Sequence, residues 1–233
     1  MTRYIEEMVA QSLVLCSGGL DSAVLVAIEA RTSIVQPAYV STGLAWEAAE
    51  RRVLARLLEA SDFGPGVLPP VVLSFDMRDI YPPTHWAIRG TPPAYDTPDE
   101  HVYLDGRNIV LLSKAAVFAA RARIARIALG PLAGNPFPDA TPRFFQAMRE
   151  ALSIGLDHPI DIATPLAAMP KADVIRRGLE LDVPLALTLS CMNPGEGDRH
   201  CGRCSKCRER HEAFVETGVP DPTDYAARPP TSD

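Results

Sequence analysis

Short apolar runs alternate with helical patterns along most of the chain, and this alternation most narrows the folds open to it. Leu13-Val14-Leu15-Cys16 reads as a buried strand, followed by an apolar helical pattern over residues 20–30. A second strand spans 34–40, an amphipathic helix 46–60 and a third strand 71–75. Helix 108–122, strand 124–129, helix 141–155, a weaker strand at 159–163 and helix 171–180 complete the series. Runs apolar on both faces belong to parallel strands covered by helices. The expected fold is therefore α/β, a doubly wound, mostly parallel sheet of about five strands. In such sheets ligands lie beyond the carboxyl ends of the strands. The positions after Cys16, Val40, Phe75 and Leu129 are the first candidates, Gly130 among them.

Residues 76–105 break the pattern with Pro82-Pro83, Pro92-Pro93 and Pro98. A loop of that length in a compact domain is a functional lid or a disordered segment. Residues 228–233 read as a frayed tail. No apolar run reaches the roughly 18 residues of a membrane span, and residues 1–7 lack the basic-then-apolar order of a secretory signal. A cytoplasmic protein is expected. The net charge of -6 argues against a large nonspecific grip on nucleic acid.

Ser17-Gly18-Gly19-Leu20-Asp21-Ser22 joins the first strand to the first helix. Glycines there let backbone approach a ligand, and the free amides of a helix start form an anion site. The serine hydroxyls can add donors, and Asp21 can position a magnesium ion bridging phosphates. The ending is not the Gly-Lys-Ser/Thr of the Walker loop. The hexapeptide instead resembles the S-G-G-x-D-S loop of the PP-loop ATPases, which cleave ATP between the α and β phosphates.

Four of the five cysteines crowd near the C-terminus, as Cys191 and then Cys201-x-x-Cys204-x-x-Cys207. In a cytosolic chain such clustering reads as metal binding before disulfides. Four thiolates can converge on a structural zinc ion, with Gly202 permitting the turn between ligands. An iron–sulfur cluster suits the same two-residue spacings. The metal is expected to clamp a helix over 208–216 onto the sheet. Cys16 reads as a small buried residue.

A PP-loop followed by this cysteine pattern is similar to the 7-cyano-7-deazaguanine synthase family, the QueC type. Gly106-Arg107-Asn108 matches that family's P-G-R-N segment, and residues 137–144, Phe137-Pro138-Asp139-Ala140-Thr141-Pro142-Arg143-Phe144, resemble its Y-P-D-C-R-P-E-F. Thr164-Pro165-Leu166, Lys171-Ala172-Asp173, Thr188-x-Ser190-Cys191 and Asp221-Pro222-Thr223-x-Tyr225 match further segments. The resemblance divides the chain into an ATP-binding domain over 1–185 and a metal module with its tail over 186–233.

It also implies a reaction. ATP adenylates the carboxylate of 7-carboxy-7-deazaguanine, ammonia displaces AMP to give an amide, and a second ATP drives dehydration to the nitrile. In that scheme Ser17, Gly18, Gly19, Leu20, Asp21 and Ser22 cradle pyrophosphate, while Tyr39, Val40 and Ser41 hold adenine. Gly106 and Gly130 border the nucleotide, Arg107 and Lys171 neutralise phosphate charge, and Asp21, Arg107 and Lys171 form the catalytic set. Arg107 and Lys171 can equally be surface ion-pair residues. Phe137 and Asp139 are assigned to the substrate, with loop capping the alternative for Asp139. The implied cofactors are ATP, Mg2+ and structural Zn2+, and the resemblance suggests a homodimer.

Two segments depart from the family. Thr42-Gly43-Leu44-Ala45-Trp46 replaces Y-G-Q-R-H, and Ala140 and Thr141 replace a Cys and an Arg. An amide-forming ligase on this or another carboxylate is the alternative these changes leave open. A tRNA-thiolating enzyme would need a basic RNA face and a spare reactive cysteine, and a nucleotide sensor would not need both Asp21 and Lys171. Trp46 is either helix-packing core or a stacking surface for a planar ligand.

Overall fold

The computed structural model describes residues 11–61 and 63–230. The expectations for residues 1–7 and for 231–233 lie outside that range. Five strands, β1 (Gln11–Leu15), β2 (Ile34–Ser41), β3 (Val71–Ser74), β4 (Arg126–Ala128) and β5 (Asp161–Ala163), form one sheet. The order is β3-β2-β1-β4-β5, and every pairing is parallel. The chain builds outward from β1 to β3 and then restarts beside β1 with β4. This reversal opens a crevice between the carboxyl ends of β1 and β4.

Both faces of the central strand are buried, which explains its unbroken apolar run. Leu13 packs on one side with Leu112, Ala115, Ala116 and Ala119 of α4 (Arg107–Ala122) and Phe145 of α5 (Pro142–Leu156). Val14 points the other way, toward α1 (Leu20–Glu29), Leu54 and Leu57 of α2 (Glu47–Ala60), and Val174 and Ile175 of α6 (Lys171–Glu180). The small residues of α4 recur at helical spacing and let that helix lie close to the sheet. Helix α7 (Ser205–Thr217) adds Phe214 to the Val14 side and packs against α6.

The elements match the sequence reading to within a few residues. The fourth strand is shorter than expected because Arg123 adopts φ 59° to end α4, and the Ile124 amide then donates to Ala119 O. The proline-rich segment 76–105 is ordered into a short helix, α3 (Trp86–Arg89), and a helical turn at Asp99–Val102. Met77, Tyr81, Ala87, Val102 and Leu104 build a second apolar cluster with Trp46 and the cysteines. This places the segment as a cover over the crevice. Of the expected frayed tail, Pro229 is buried. Among the described residues no helix is long and apolar enough to cross a membrane.

Candidate functional site

The loop after β1 turns at Gly18, whose φ is +80° and whose Cβ, if present, would lie 3.0 Å from Leu54 N. Only glycine meets both the left-handed backbone and the close approach of α2. The Ser22 hydroxyl accepts from Ser17 N at 3.3 Å and donates to Gly19 O at 3.0 Å, while Ser17 Oγ accepts from Gly19 N. Both serine hydroxyls thus brace the loop, and the first-turn amides of α1 stand without helical partners. A cavity of about 360 Å³ opens beside this loop.

Ser17, Gly19, Leu20, Asp21, Tyr39, Val40, Arg107, Gly130, Phe137, Asp139 and Lys171 all line that cavity. Gly18, Ser22, Ser41 and Gly106 are not among its walls. Gly18 faces α2, and the Ser41 hydroxyl donates to Glu47 Oε2 at 2.5 Å. Gly106 is the left-handed residue, φ 73°, that precedes α4.

Lys171 Nζ lies 2.6 Å from Asp21 Oδ2 and 3.3 Å from Glu209 Oε1, and Glu209 Oε2 lies 2.5 Å from Lys206 Nζ. Burial alone would depress the Lys171 ammonium, but the charges of Asp21 and Glu209 outweigh it and hold its pKa above the ordinary lysine value. Burial likewise raises Glu209, yet Lys171 and Lys206 draw it down to about 2. The other oxygen of Asp21, Oδ1, is buried with no hydrogen-bond partner. An orphaned carboxylate oxygen beside a phosphate loop fits a cation.

Arg107, at the first position of α4, also lines the cavity, with its Nε buried and unpartnered. The Asp139 carboxylate accepts from Asn108 N at 3.0 Å, and Asn108 Nδ2 donates to Asp139 O at 2.9 Å. Asp139 therefore caps the start of α4 while still facing the cavity. Burial pushes its carboxyl above the usual range, opposed by the Asn108 amide. Trp46 stacks on Trp86 of the cover, centroids 5.7 Å apart at 9°, and Tyr103 pairs with Phe137 at 5.2 Å. Trp46 is thus both packed and part of the cavity wall.

Tyr39 donates its hydroxyl to Glu50 Oε2 at 2.8 Å. Burial pushes Glu50 up to about 7; Arg107 and the Tyr39 hydrogen bond oppose this, and Glu47 adds to it. A folded-state value above the unfolded one gives stability that is full below about 4.5 and lost as pH rises through about 7. Glu50→Gln should therefore match the wild type in stability near pH 4.5 and exceed it at pH 8, by on the order of 3 kcal/mol. Thermal melting at the two pH values checks this, and an equal difference at both would refute it.

The four cysteine sulfurs all lie within 4.8 Å of one another. Cys191–Cys204, Cys201–Cys207 and Cys204–Cys207 are 4.0, 3.8 and 3.5 Å apart. A tetrahedral ion with metal–sulfur bonds of about 2.3 Å holds its sulfurs about 3.8 Å apart. A disulfide needs about 2.05 Å, and a multi-iron cluster would spread its thiolates more widely than one ion does. The set fits a single ion. Amides of Asn193 and Cys201 donate to Cys191 Sγ, as Arg203 N does to Cys201 Sγ, which favours thiolates. At Gly202, φ +71°, a Cβ would lie 1.8 Å from Ala227 O, so no other residue fits.

Buried Arg210 ties this module to the loop. It donates to Thr188 Oγ1, Ser190 Oγ, Leu185 O and Thr223 Oγ1, while Leu189 N donates to Gly18 O at 2.9 Å. Thr188, Ser190 and Thr223 are motif residues whose spacing becomes intelligible through this one guanidinium.

Comparison with known proteins shows the family. The family described as Queuosine biosynthesis protein QueC matches residues 11–218. The chain belongs to the QueC family. It is 34% identical to the 7-cyano-7-deazaguanine synthase of Methanothrix thermoacetophila over 92% of this chain and 98% of that one. The synthases of Azoarcus sp. (34%; 94% and 98% covered) and Methanopyrus kandleri (35%; 93% and 99% covered) are similarly related.

Within this QueC-family chain the two departures acquire local explanations. Glu47 Oε1 accepts from Thr42 N at 2.7 Å and Gly43 N at 3.1 Å, so the changed segment is a carboxylate-held turn leading to Trp46. Thr141 caps α5 by accepting from Phe144 N at 3.2 Å, and it is not among the cavity-lining residues. Sequence reasoning missed Glu50, Trp86, Tyr103, Lys206 and Glu209, all of which line the cavity. Lys206 and Glu209 fall between and beyond cysteines, where charged residues read as the solvated face of a metal module. Trp86 sits in the proline-rich segment, whose lack of periodicity gives no clue to what it covers.

Proposed function

We infer that this enzyme converts 7-carboxy-7-deazaguanine to 7-cyano-7-deazaguanine at the expense of two ATP, acting as an AMP-forming ligase that joins carbon to nitrogen. The observation that carries the reading is a single cavity lined both by the phosphate loop with the Asp21–Lys171 pair and by Arg107, Asp139 and the aromatic rings of Phe137 and Tyr103. Its volume lies within the usual range for small-molecule sites.

A carboxylate resists ammonia, whereas an acyl-adenylate does not. The substrate carboxylate oxygen attacks the α-phosphorus of ATP, and pyrophosphate departs toward the first-turn amides of α1. Lys171 and Arg107 balance the charge that spreads over the phosphate oxygens. Ammonia then adds to the acyl carbon and AMP leaves, giving the amide and releasing a proton. A second adenylation, on the amide oxygen, makes that oxygen a leaving group, and loss of AMP and a proton forms the nitrile. Tyr39 and Val40 border the adenine, and Asp139 with Phe137 receives the deazapurine, a carboxylate suiting the donors of a guanine-like edge.

Asp21 would hold Mg2+, which supplies neutralisation of phosphate charge when bound; its orphaned Oδ1 fits that duty. Cys191, Cys201, Cys204 and Cys207 would hold Zn2+ in a closed, structural site. The test is incubation with ATP, magnesium, ammonium and 7-carboxy-7-deazaguanine, with products read by mass. Nitrile with AMP is the expected result. Amide alone would make this an amide-forming ligase, and no AMP above background would overturn the reading.

A further inference from the structure

Lys171 is placed by two carboxylates from different parts of the fold. Asp21 comes from the phosphate loop; Glu209 comes from α7, the helix that follows directly on Cys204 and carries Cys207 in its first turn. Glu209 spans two ammonium groups, one oxygen 3.3 Å from Lys171 and the other 2.5 Å from Lys206. Both lysines and both carboxylates line the cavity. Ion pairs between half-buried side chains such as these give modest net stability, because desolvation offsets much of their attraction. Their position at the phosphate site therefore calls for a reason beyond folding.

An ammonium has three N–H donors on a flexible stem. Asp21 accepts a hydrogen bond from Lys171 at 2.6 Å and Glu209 holds the same ammonium as an ion pair at 3.3 Å, which together restrain the group from swivelling and leave it donor capacity for a ligand. The same bridge sets the distance between Lys171 and Lys206. The cluster holds two positive and two negative charges, so what Glu209 adds is orientation and not attraction for an anion.

We propose that Glu209 is a positioning residue for ATP cleavage, holding Lys171 and Lys206 as a two-point clamp on the phosphate oxygens. This rests on the ATP-cleaving reading given above. Because α7 starts at the cysteine cluster, the metal module supplies half of the charged apparatus and is more than a staple.

The two contributions of a carboxylate here have opposite signs, and that makes the test decisive. Glu209→Gln removes a negative charge near the phosphates, so the KM for ATP should stay the same or fall. Loss of orientation should lower kcat for AMP formation about 100-fold, the scale of an ångström-sized misplacement. Metal content should match the wild type and Lys171 keeps Asp21, while the melting temperature should fall by a few degrees, because a carboxylate drawn down to about 2 stabilises the fold at neutral pH; kcat is therefore read on enzyme shown to be folded. Lys206→Gln, on a side chain that is 30% exposed, should instead raise the KM for ATP about tenfold. A Glu209→Gln kcat within threefold of wild type would overturn the proposal, as would activity lost in parallel with metal. An unchanged KM and kcat in Lys206→Gln would remove the clamp. A wild type that forms no AMP would overturn the functional reading and this inference together; an active wild type isolates this one.

Discussion

Asp21→Asn is expected to lower AMP formation by about 10²–10³-fold, the loss that follows removal of one preorganised electrostatic contact at a reacting centre. The substitution keeps the shape of the side chain and removes its charge. Lys171 then loses its 2.6 Å partner, and the orphaned Oδ1 can no longer offer a full negative charge to a cation. The fold should survive, because Lys171 retains Glu209 at 3.3 Å and no buried charge is left alone. Chromatographic assay of AMP, with circular dichroism and metal analysis as controls, checks the expectation. Wild-type AMP formation in a folded Asp21→Asn enzyme would refute the role assigned to this carboxylate.

Cys204→Ser is expected to lower metal content well below one equivalent and to destabilise the protein. Cys204 is 2% exposed and precedes α7, with its sulfur 4.0 Å from Cys191 and 3.5 Å from Cys207. A serine hydroxyl is a poor substitute for a thiolate ligand. Apparent zinc-binding energies of about 10–16 kcal/mol in small peptides compare with about 5–15 kcal/mol for the whole stability of a domain. Even a loss of several kcal/mol should lower the melting temperature by on the order of 10 °C, at about 2–4 °C per kcal/mol.

The damage should spread to the cavity. Ala94 bridges to Cys204, Ser205 N donates to Pro93 O, and Arg208 donates to Tyr95 O, Thr97 O and Asp99 Oδ1. These contacts hold the cover over the crevice, so AMP formation should fall along with metal. Full metal stoichiometry and unchanged melting in this variant would rule out the four-cysteine site.

Much of the fold was legible because its signals are local. The apolar run at Leu13–Leu15 needs only both-sided burial to read as a central strand, and Lys171–Glu180 emerged as a helix with the bounds expected. The glycine-rich loop lies within six residues and three of the cysteines within seven, so a few chemical spacings suffice to single them out. The cover was recognisable as an interruption, but its aromatic partners were not. Trp46 and Trp86 are separated by the whole of β3, and nothing between them announces that they stack.

What the amino-acid sequence alone determined, then, was the parallel sheet, the glycine-rich loop at a helix start and the cysteine cluster that could hold a metal, each encoded in neighbouring residues. Tertiary structure alone decided the electrostatics of the cavity. Lys171 meets Asp21 across 150 positions only because β4 is laid beside β1. Glu209 reaches Lys171 only because α7 packs on α6. Burial of Glu50 beneath Arg107 and Tyr39 likewise has no trace in its own helix. Charge interactions depend on distance and desolvation, and both are set by which elements the topology brings together.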